Sequence, residues 1–141
     1  MIRRKGISAD KDTLIAGTRE VLQRHAEVIF AYLFGGLAKH DMLPLSDIDI
    51  AVYVDRSANL DQEKLDLLGD LMDELRTDEI DLVILNVAQL PLSARVLRNN
   101  QILLDRDPFL RHSYESRILR EYFDFSVKGD AILKSRFSLG R

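Results

Sequence analysis

The chain has 141 residues, of which 46% are hydrophobic and 30% are charged, and its formal net charge is −3. This length suits one domain with a substantial core, so we expect a single domain over 1–141 with its core at about 10–125. The slight excess of acids predicts no direct binding of nucleic acid, which needs a basic face, and the absence of cysteine excludes disulfides and thiolate nucleophiles. With no secretory pattern and no apolar stretch of membrane length, we expect a cytoplasmic protein without membrane contact.

Helical and strand-like hydrophobic patterns alternate along the chain. Helices are predicted where apolar residues recur three and four positions apart, and strands where short apolar runs end at turn residues. In chain order the predicted elements are a helix at 10–24, a strand at Val28–Phe34, a helical turn at 37–40, a loop at 41–46, a strand at Asp47–Val54, a helix at Leu60–Leu75, a strand at Glu79–Leu85, a helix at Pro91–Arg98, a strand at Gln101–Leu104 and a helix from Pro108. Residues 126–141 have weak patterning, which leaves open whether this tail is ordered or loose.

Two helix starts carry recognisable caps. Asn59 is the predicted N-cap of the helix at Leu60–Leu75, with Gln62 as its capping-box partner. Asp107 is the predicted N-cap of the last helix, with Pro108 at its first position.

The order of elements predicts an α/β (α+β) fold: a small mixed β-sheet of about four strands with helices packed on it. The first two strands follow each other through a loop, without a helical crossover. They are therefore expected to be antiparallel or part of a mixed sheet, and a purely parallel, doubly wound sheet is disfavoured.

Two acids alternate with isoleucine in the second predicted strand. Asp47 and Asp49 lie on one face of this strand, with α-carbons roughly 6.5–7 Å apart. Two carboxylates this close repel each other unless a cation lies between them, and oxygen ligands suit Mg²⁺, which also takes substrate phosphates. The paired glycines Gly35 and Gly36 lie upstream and would let the backbone approach such phosphates. The segment therefore predicts half of a nucleotide site.

The spacing of Gly35-Gly36, ten residues, and then Asp47-Ile48-Asp49 resembles the nucleotidyltransferase superfamily related to DNA polymerase β. Residues 35–39 and 44–50 resemble more closely the minimal nucleotidyltransferases (MNT), which are the antitoxin halves of HEPN/MNT toxin–antitoxin pairs. The likeness continues through residues 103–125 and covers about residues 10–125. It implies a nucleotidyltransferase-like fold.

The resemblance also implies roles for individual residues. The implied catalytic residues, which would also hold two Mg²⁺ ions, are Asp47, Asp49 and Asp81. The implied nucleotide-binding residues are Gly35, Gly36, Lys39 and Ser46. The implied activity is that of an antitoxin that forms a hetero-oligomer with a HEPN-family ribonuclease toxin and transfers AMP from ATP to a tyrosine of that toxin.

The motif departs from the family pattern at two positions. The usual serine after the first glycine is Gly36 here, and a glycine common four residues later is His40. The lost hydroxyl hydrogen bond to a charged phosphate would cost roughly 1.5–3 kcal/mol. A second hypothesis is therefore a catalytically weakened fold that neutralises the toxin by binding alone. A third is a small-molecule nucleotidyltransferase, although such enzymes usually carry an added helical domain.

Several charged residues are assigned no function from the sequence. His25 and His112 are predicted to lie on solvated helix ends, and the three histidines form no zinc pattern. A solvated face of the last helix is predicted for Arg111, Arg117 and Arg120.

Overall fold

The computed structural model describes residues 11–36 and 48–139. The helices within these ranges are α1 (Lys11–Arg24), α2 (Leu60–Leu75), α3 (Leu90–Arg98) and α4 (Pro108–Leu139). The strands are β1 (Val28–Phe34), β2 (Ile48–Val54), β3 (Ile80–Ile84) and β4 (Asn100–Asp105). The predicted turn at 37–40 and loop at 41–46 lie outside the described residues.

The four strands form one mixed sheet in the order β3-β2-β1-β4. β1 is antiparallel to both β2 and β4, whereas β2 and β3 are parallel and joined through α2. The predicted α/β fold with a mixed sheet is confirmed. The central position of β1 explains its nearly continuous apolar sequence, because a strand covered on both faces has no solvent side.

The core has two layers, one on each face of the sheet. α1 and α2 cover the first face, and α3 and α4 cover the second. β1 supplies both layers: Ala31 and Leu33 pack in the first, and its aromatic residues Phe30, Tyr32 and Phe34 pack in the second. Strand alternation thus separates aliphatic from aromatic side chains along a single strand.

The predicted caps are present, with one difference. Asn59 accepts a hydrogen bond from the Gln62 backbone N–H at 3.1 Å, and Asp107 accepts one from the Leu110 backbone N–H at 3.0 Å. The side chain of Gln62 donates instead to Asp66 at 2.9 Å. The capping box of α2 is therefore half formed, with the cap made by Asn59 alone.

The last helix is longer than its apolar pattern indicated. α4 contains 32 residues, which at about 1.5 Å per residue makes it about 48 Å long. Tyr114 and Ile118 anchor it in the second core layer, while Phe109 and Phe123 are largely exposed. Among the described residues, no helix is both long enough and apolar enough to cross a membrane.

A chain of hydrogen bonds ties α4 to the sheet, and the prediction that Arg111 is solvated is wrong. Arg111 is mostly buried and binds Asp105 at 2.7 Å and Glu115 at 3.0 Å. Tyr32 donates its hydroxyl to the same oxygen of Glu115 at 2.6 Å. Burial alone would lower the pKa of Arg111, but its hydrogen bonds to Asp105 and Glu115 outweigh that effect and raise the pKa.

The prediction that His25 lies on a solvated helix end is also wrong. It follows α1 and contacts α2 through both ring nitrogens: Nδ1 lies 3.0 Å from Oε2 of Glu63, and Nε2 lies 2.7 Å from Oδ2 of Asp70. Glu63 is itself buried. His25 therefore joins the two helices of the first layer, and its role is structural. His112 is exposed, as predicted.

Candidate active site

Two of the three predicted acids lie side by side in the sheet. Asp49 of β2 and Asp81 of β3 are direct register partners in the parallel pair, so their backbones are about 4.8 Å apart. Both lie on the second face, because Ala51 and Val83, each two residues further along, pack in the second core layer. Asp49 is half-buried and Asp81 is exposed.

Gly35 completes the described part of the site from the end of β1. Phe34 pairs with Asp49 across the antiparallel strands, so the glycine that follows comes next to that carboxylate. A β-carbon at Gly35 would overlap Oδ2 of Asp49 and lie 3.1 Å from its Cγ, and the φ of Gly35 is +75°. Glycine is required here both by space and by backbone conformation.

Gly36 is in a different environment. A β-carbon at Gly36 would meet no atom of the described residues within 4 Å, and the φ of Gly36 is not positive. Neither space nor backbone conformation therefore demands a glycine at this position.

The remaining predicted site residues, Lys39, Ser46 and Asp47, lie outside the described residues, as does His40. Within the described part of the chain, no group of three or more histidine, aspartate or glutamate side chains is placed to hold a metal ion. The donor set that is described, two carboxylates on one face of neighbouring strands, fits an oxygen-binding cation such as Mg²⁺.

A groove next to Asp81 was not foreseen from the sequence. It has a volume of about 370 Å³ and lies along β3, between the first turns of α2 and the segment that leads into α3. Its lining residues include Asp81, Leu60, Lys64, Val87, Ala88 and Leu92. Lys64, in the first turns of α2, is exposed. Sequence periodicity has no signal for such a groove, because it is made by three separate elements.

The sequence from residue 17 to residue 109 matches the family model described as "Polymerase beta, Nucleotidyltransferase". The chain belongs to this family, and the predicted superfamily is confirmed. No curated protein sequence gives a significant match.

Solved structures of MNT antitoxins have the same fold. A mutant of the toxin–antitoxin MntA–HpeT superposes with a TM-score of 0.72 at 20% identity, covering 86% of this chain and 96% of that chain. An MNT antitoxin in complex with the tri-AMPylated HEPN toxin of Shewanella oneidensis gives 0.68 at 20% identity, with 88% and 96% covered. A toxin–antitoxin structure with AMP-PNP gives 0.70 at 21% identity, with 86% and 96% covered.

Proposed function

We propose that this chain is the antitoxin of a HEPN-family ribonuclease toxin and that it neutralises the toxin by Mg²⁺-dependent transfer of AMP from ATP to a toxin tyrosine. The observation that carries the proposal is the in-register pair of Asp49 and Asp81, with Gly35 against Asp49. Membership of the nucleotidyltransferase family supports the reaction class. The proposed partner is a separate protein in a cytoplasmic hetero-oligomer.

The structural neighbours support the choice of acceptor. One of them is an antitoxin in complex with a HEPN toxin that carries three AMP groups, and another contains AMP-PNP. This chain covers nearly the full length of those neighbours. By analogy, a docked protein would supply the hydroxyl that receives the nucleotide.

Each residue of the site has a defined role in the proposed reaction. The carboxylates of Asp47, Asp49 and Asp81 would hold two Mg²⁺ ions, which supply charge neutralisation at the triphosphate. Asp81 is exposed and would accept the proton of the attacking tyrosine hydroxyl. The tyrosine oxygen would bond to the α-phosphorus as the bond to the bridging oxygen breaks and pyrophosphate leaves. Backbone N–H groups at Gly35 and Gly36 would donate to the β- and γ-phosphates, and Lys39 and Ser46 would also bind the nucleotide.

The test is to incubate the chain with its toxin, ATP and Mg²⁺ and to weigh the toxin by mass spectrometry. We expect the toxin to gain the mass of one or more AMP groups with the wild-type chain, and no gain with Asp49→Asn or Asp81→Asn. Asp73→Asn is the matched control, since Asp73 is exposed on α2, and should behave like wild type. An unmodified toxin in an intact, folded complex with the wild-type chain would refute the proposal.

A second function, neutralisation by binding alone, is favoured by one observation. Gly36 stands where the family has a phosphate-binding serine, and the open space around it holds no substitute side chain among the described residues. In cells that express the toxin, Asp49→Asn separates the two functions. Lost protection indicates catalysis, whereas full protection indicates binding.

A further inference from the structure

The groove along β3 has the properties of a site for an added strand. β3 is an edge strand of the sheet. Two backbone hydrogen bonds, one at each end of the pairing with β2, show which residues of β3 face β2. Ile48 N–H donates to Glu79 C=O at 2.9 Å, and Leu85 N–H donates to Val52 C=O at 2.8 Å. In a parallel pair both backbone groups of a residue point to the same side. Asp81 and Val83 therefore bond to β2, and Leu82 directs its N–H and C=O away from it.

The outward backbone groups of Leu82 face the groove. Leu82 lines it, although its side chain packs in the first core layer. Among the described residues, these two groups make no backbone hydrogen bond to a turn or loop, whereas the C=O of Ile84 accepts one from Val87 N–H at 3.2 Å. An edge strand whose outward N–H and C=O groups border a groove is the arrangement to which an extended peptide adds as a further strand.

The walls of the groove suit side chains of such a peptide. Leu60 of α2 lies on one side together with the charged residues Asp61 and Lys64, and Leu92 of α3 lies on the other, with Val87 and Ala88 beside it. Val87 is 68% exposed. The groove thus combines hydrogen-bonding groups of β3 with an apolar wall on the α3 side and a mixed apolar and charged wall on the α2 side, which together would give affinity for a main chain and a preference among side chains.

We propose that this groove binds the acceptor segment of the partner as an extended strand paired with β3. In a sheet, directly opposed residues place their side chains on the same face. The residue of the added strand that lies opposite Asp81 would therefore direct its side chain to the face that carries Asp49 and Asp81. Its hydroxyl would reach the acids, and the side chains two positions away along the strand would contact Val87 and Leu92 on the same face, while the adjacent side chains would face Leu60 on the other. This inference rests on the proposed transfer to a protein hydroxyl and names how that protein docks.

The first experiment is site-specific photo-cross-linking, which the absence of cysteine in the chain makes direct. Val87→Cys is labelled with a benzophenone maleimide, mixed with the toxin and irradiated, and the cross-linked toxin peptide is identified by mass spectrometry. We expect the peptide that carries the acceptor tyrosine. Leu65→Cys is the matched control, because Leu65 is 66% exposed on α2 but does not line the groove. It should give no cross-link to that peptide.

The second experiment measures transfer kinetics. Val87→Glu places a charge on the groove wall and should raise the KM for the toxin at least tenfold without changing the KM for ATP, and Leu65→Glu should change neither. Cross-links to another toxin segment, or to a second copy of this chain, would overturn the docking proposal, as would unchanged kinetics of Val87→Glu. A wild-type chain that transfers nothing would refute the proposed function instead, and the cross-link, which needs no transfer, would still decide the docking.

Discussion

The carboxylate of Asp49 lies so close to Gly35 that position 35 has no room for a side chain. The carboxylate of Asp49 lies where the β-carbon of any other residue would be, and the backbone of Gly35 has a φ of +75°. The conformation of the turn after β1 and the position of the Asp49 carboxylate on β2 therefore depend on each other. A side chain in the turn proposed to bind phosphate would displace a carboxylate proposed to hold the metal.

Gly35→Ala should reduce both stability and transfer. The positive φ alone costs roughly 1–2 kcal/mol for an L-residue, and the overlap with Asp49 adds to this cost by moving its carboxylate. We expect the urea midpoint to fall and nucleotide transfer to be lost. Gly36→Ala is the matched control: it has open space and no positive φ, and it should unfold like wild type. Equal effects of the two substitutions would contradict the assigned role of Gly35.

Gly36→Ser should increase the affinity for ATP. The added hydroxyl meets no steric obstacle among the described residues and would donate to a charged phosphate. A hydrogen bond to a charged group contributes roughly 1.5–3 kcal/mol, which corresponds to about a 10- to 150-fold lower Kd by isothermal titration calorimetry. Gly36→Ala separates the hydroxyl from the effect of a β-carbon. If serine and alanine gave the same Kd, position 36 would not contact the phosphates.

Tyr32→Phe should reduce stability at neutral pH. The hydroxyl of Tyr32 is fully buried and donates to Glu115 at 2.6 Å. Its removal deletes a hydrogen bond to a charged group, worth roughly 1.5–3 kcal/mol, although Glu115 keeps its contact with Arg111. Urea unfolding at pH 7 measures the loss, and an unchanged midpoint would show that this bond does not stabilise the fold.

The pH dependence of the same variant has a definite sign. Burial, followed by the hydrogen bond to Glu115, raises the pKa of Tyr32 above its ordinary value near 10. The folded state thus keeps the proton at a pH where the unfolded chain has lost it. The contribution of Tyr32 is fully present below about pH 10 and decreases as the pH rises further. Wild type should lose free energy of unfolding above about pH 10 more steeply than Tyr32→Phe, whereas the two should change in parallel between pH 8 and about pH 10. Burial also raises the pKa of Tyr114, but that residue is common to both proteins.

His25→Ala should destabilise the first core layer without a direct effect on the active site. It would leave the buried carboxylate of Glu63 without its 3.0 Å contact and Asp70 without its 2.7 Å contact. The loss of a hydrogen-bond partner from a buried polar group costs about 1–3 kcal/mol, which should appear as a lower urea midpoint. Arg24→Ala is the control, because its pair with Glu20 is largely exposed and such pairs contribute about 0.2–1 kcal/mol.

The elements of the fold were predicted well because their signals are local. The apolar run of β1, the stripe of α2 and the caps at Asn59 and Asp107 lie within single stretches of chain. The same holds for the acid embedded in β3 at Asp81. Each pattern follows from the period of a strand or a helix, so it can be recognised without knowing what the element contacts.

The errors concern side chains whose surroundings are formed by segments distant in sequence. The partners of Arg111, Asp105 and Glu115, are close in sequence, but its burial comes from the packing of α4 on the sheet. That packing is visible only in contacts such as the hydrogen bond to Glu115 from Tyr32, 83 residues before it. His25 was placed in solvent for the same reason, since its partners lie 38 and 45 residues later. Periodicity carries no information about such pairs.

The sequence by itself determined the class of the protein and its alternating elements, and it supplied the acids that are proposed for the site. Only the tertiary structure decided that Asp49 and Asp81 are register partners, that the carboxylate of Asp49 excludes a side chain at Gly35, and that β3 is an edge strand with an open groove. The physical reason is that hydrophobic period is a property of one segment. Register, close contacts and sheet edges instead arise from the packing of several segments against each other.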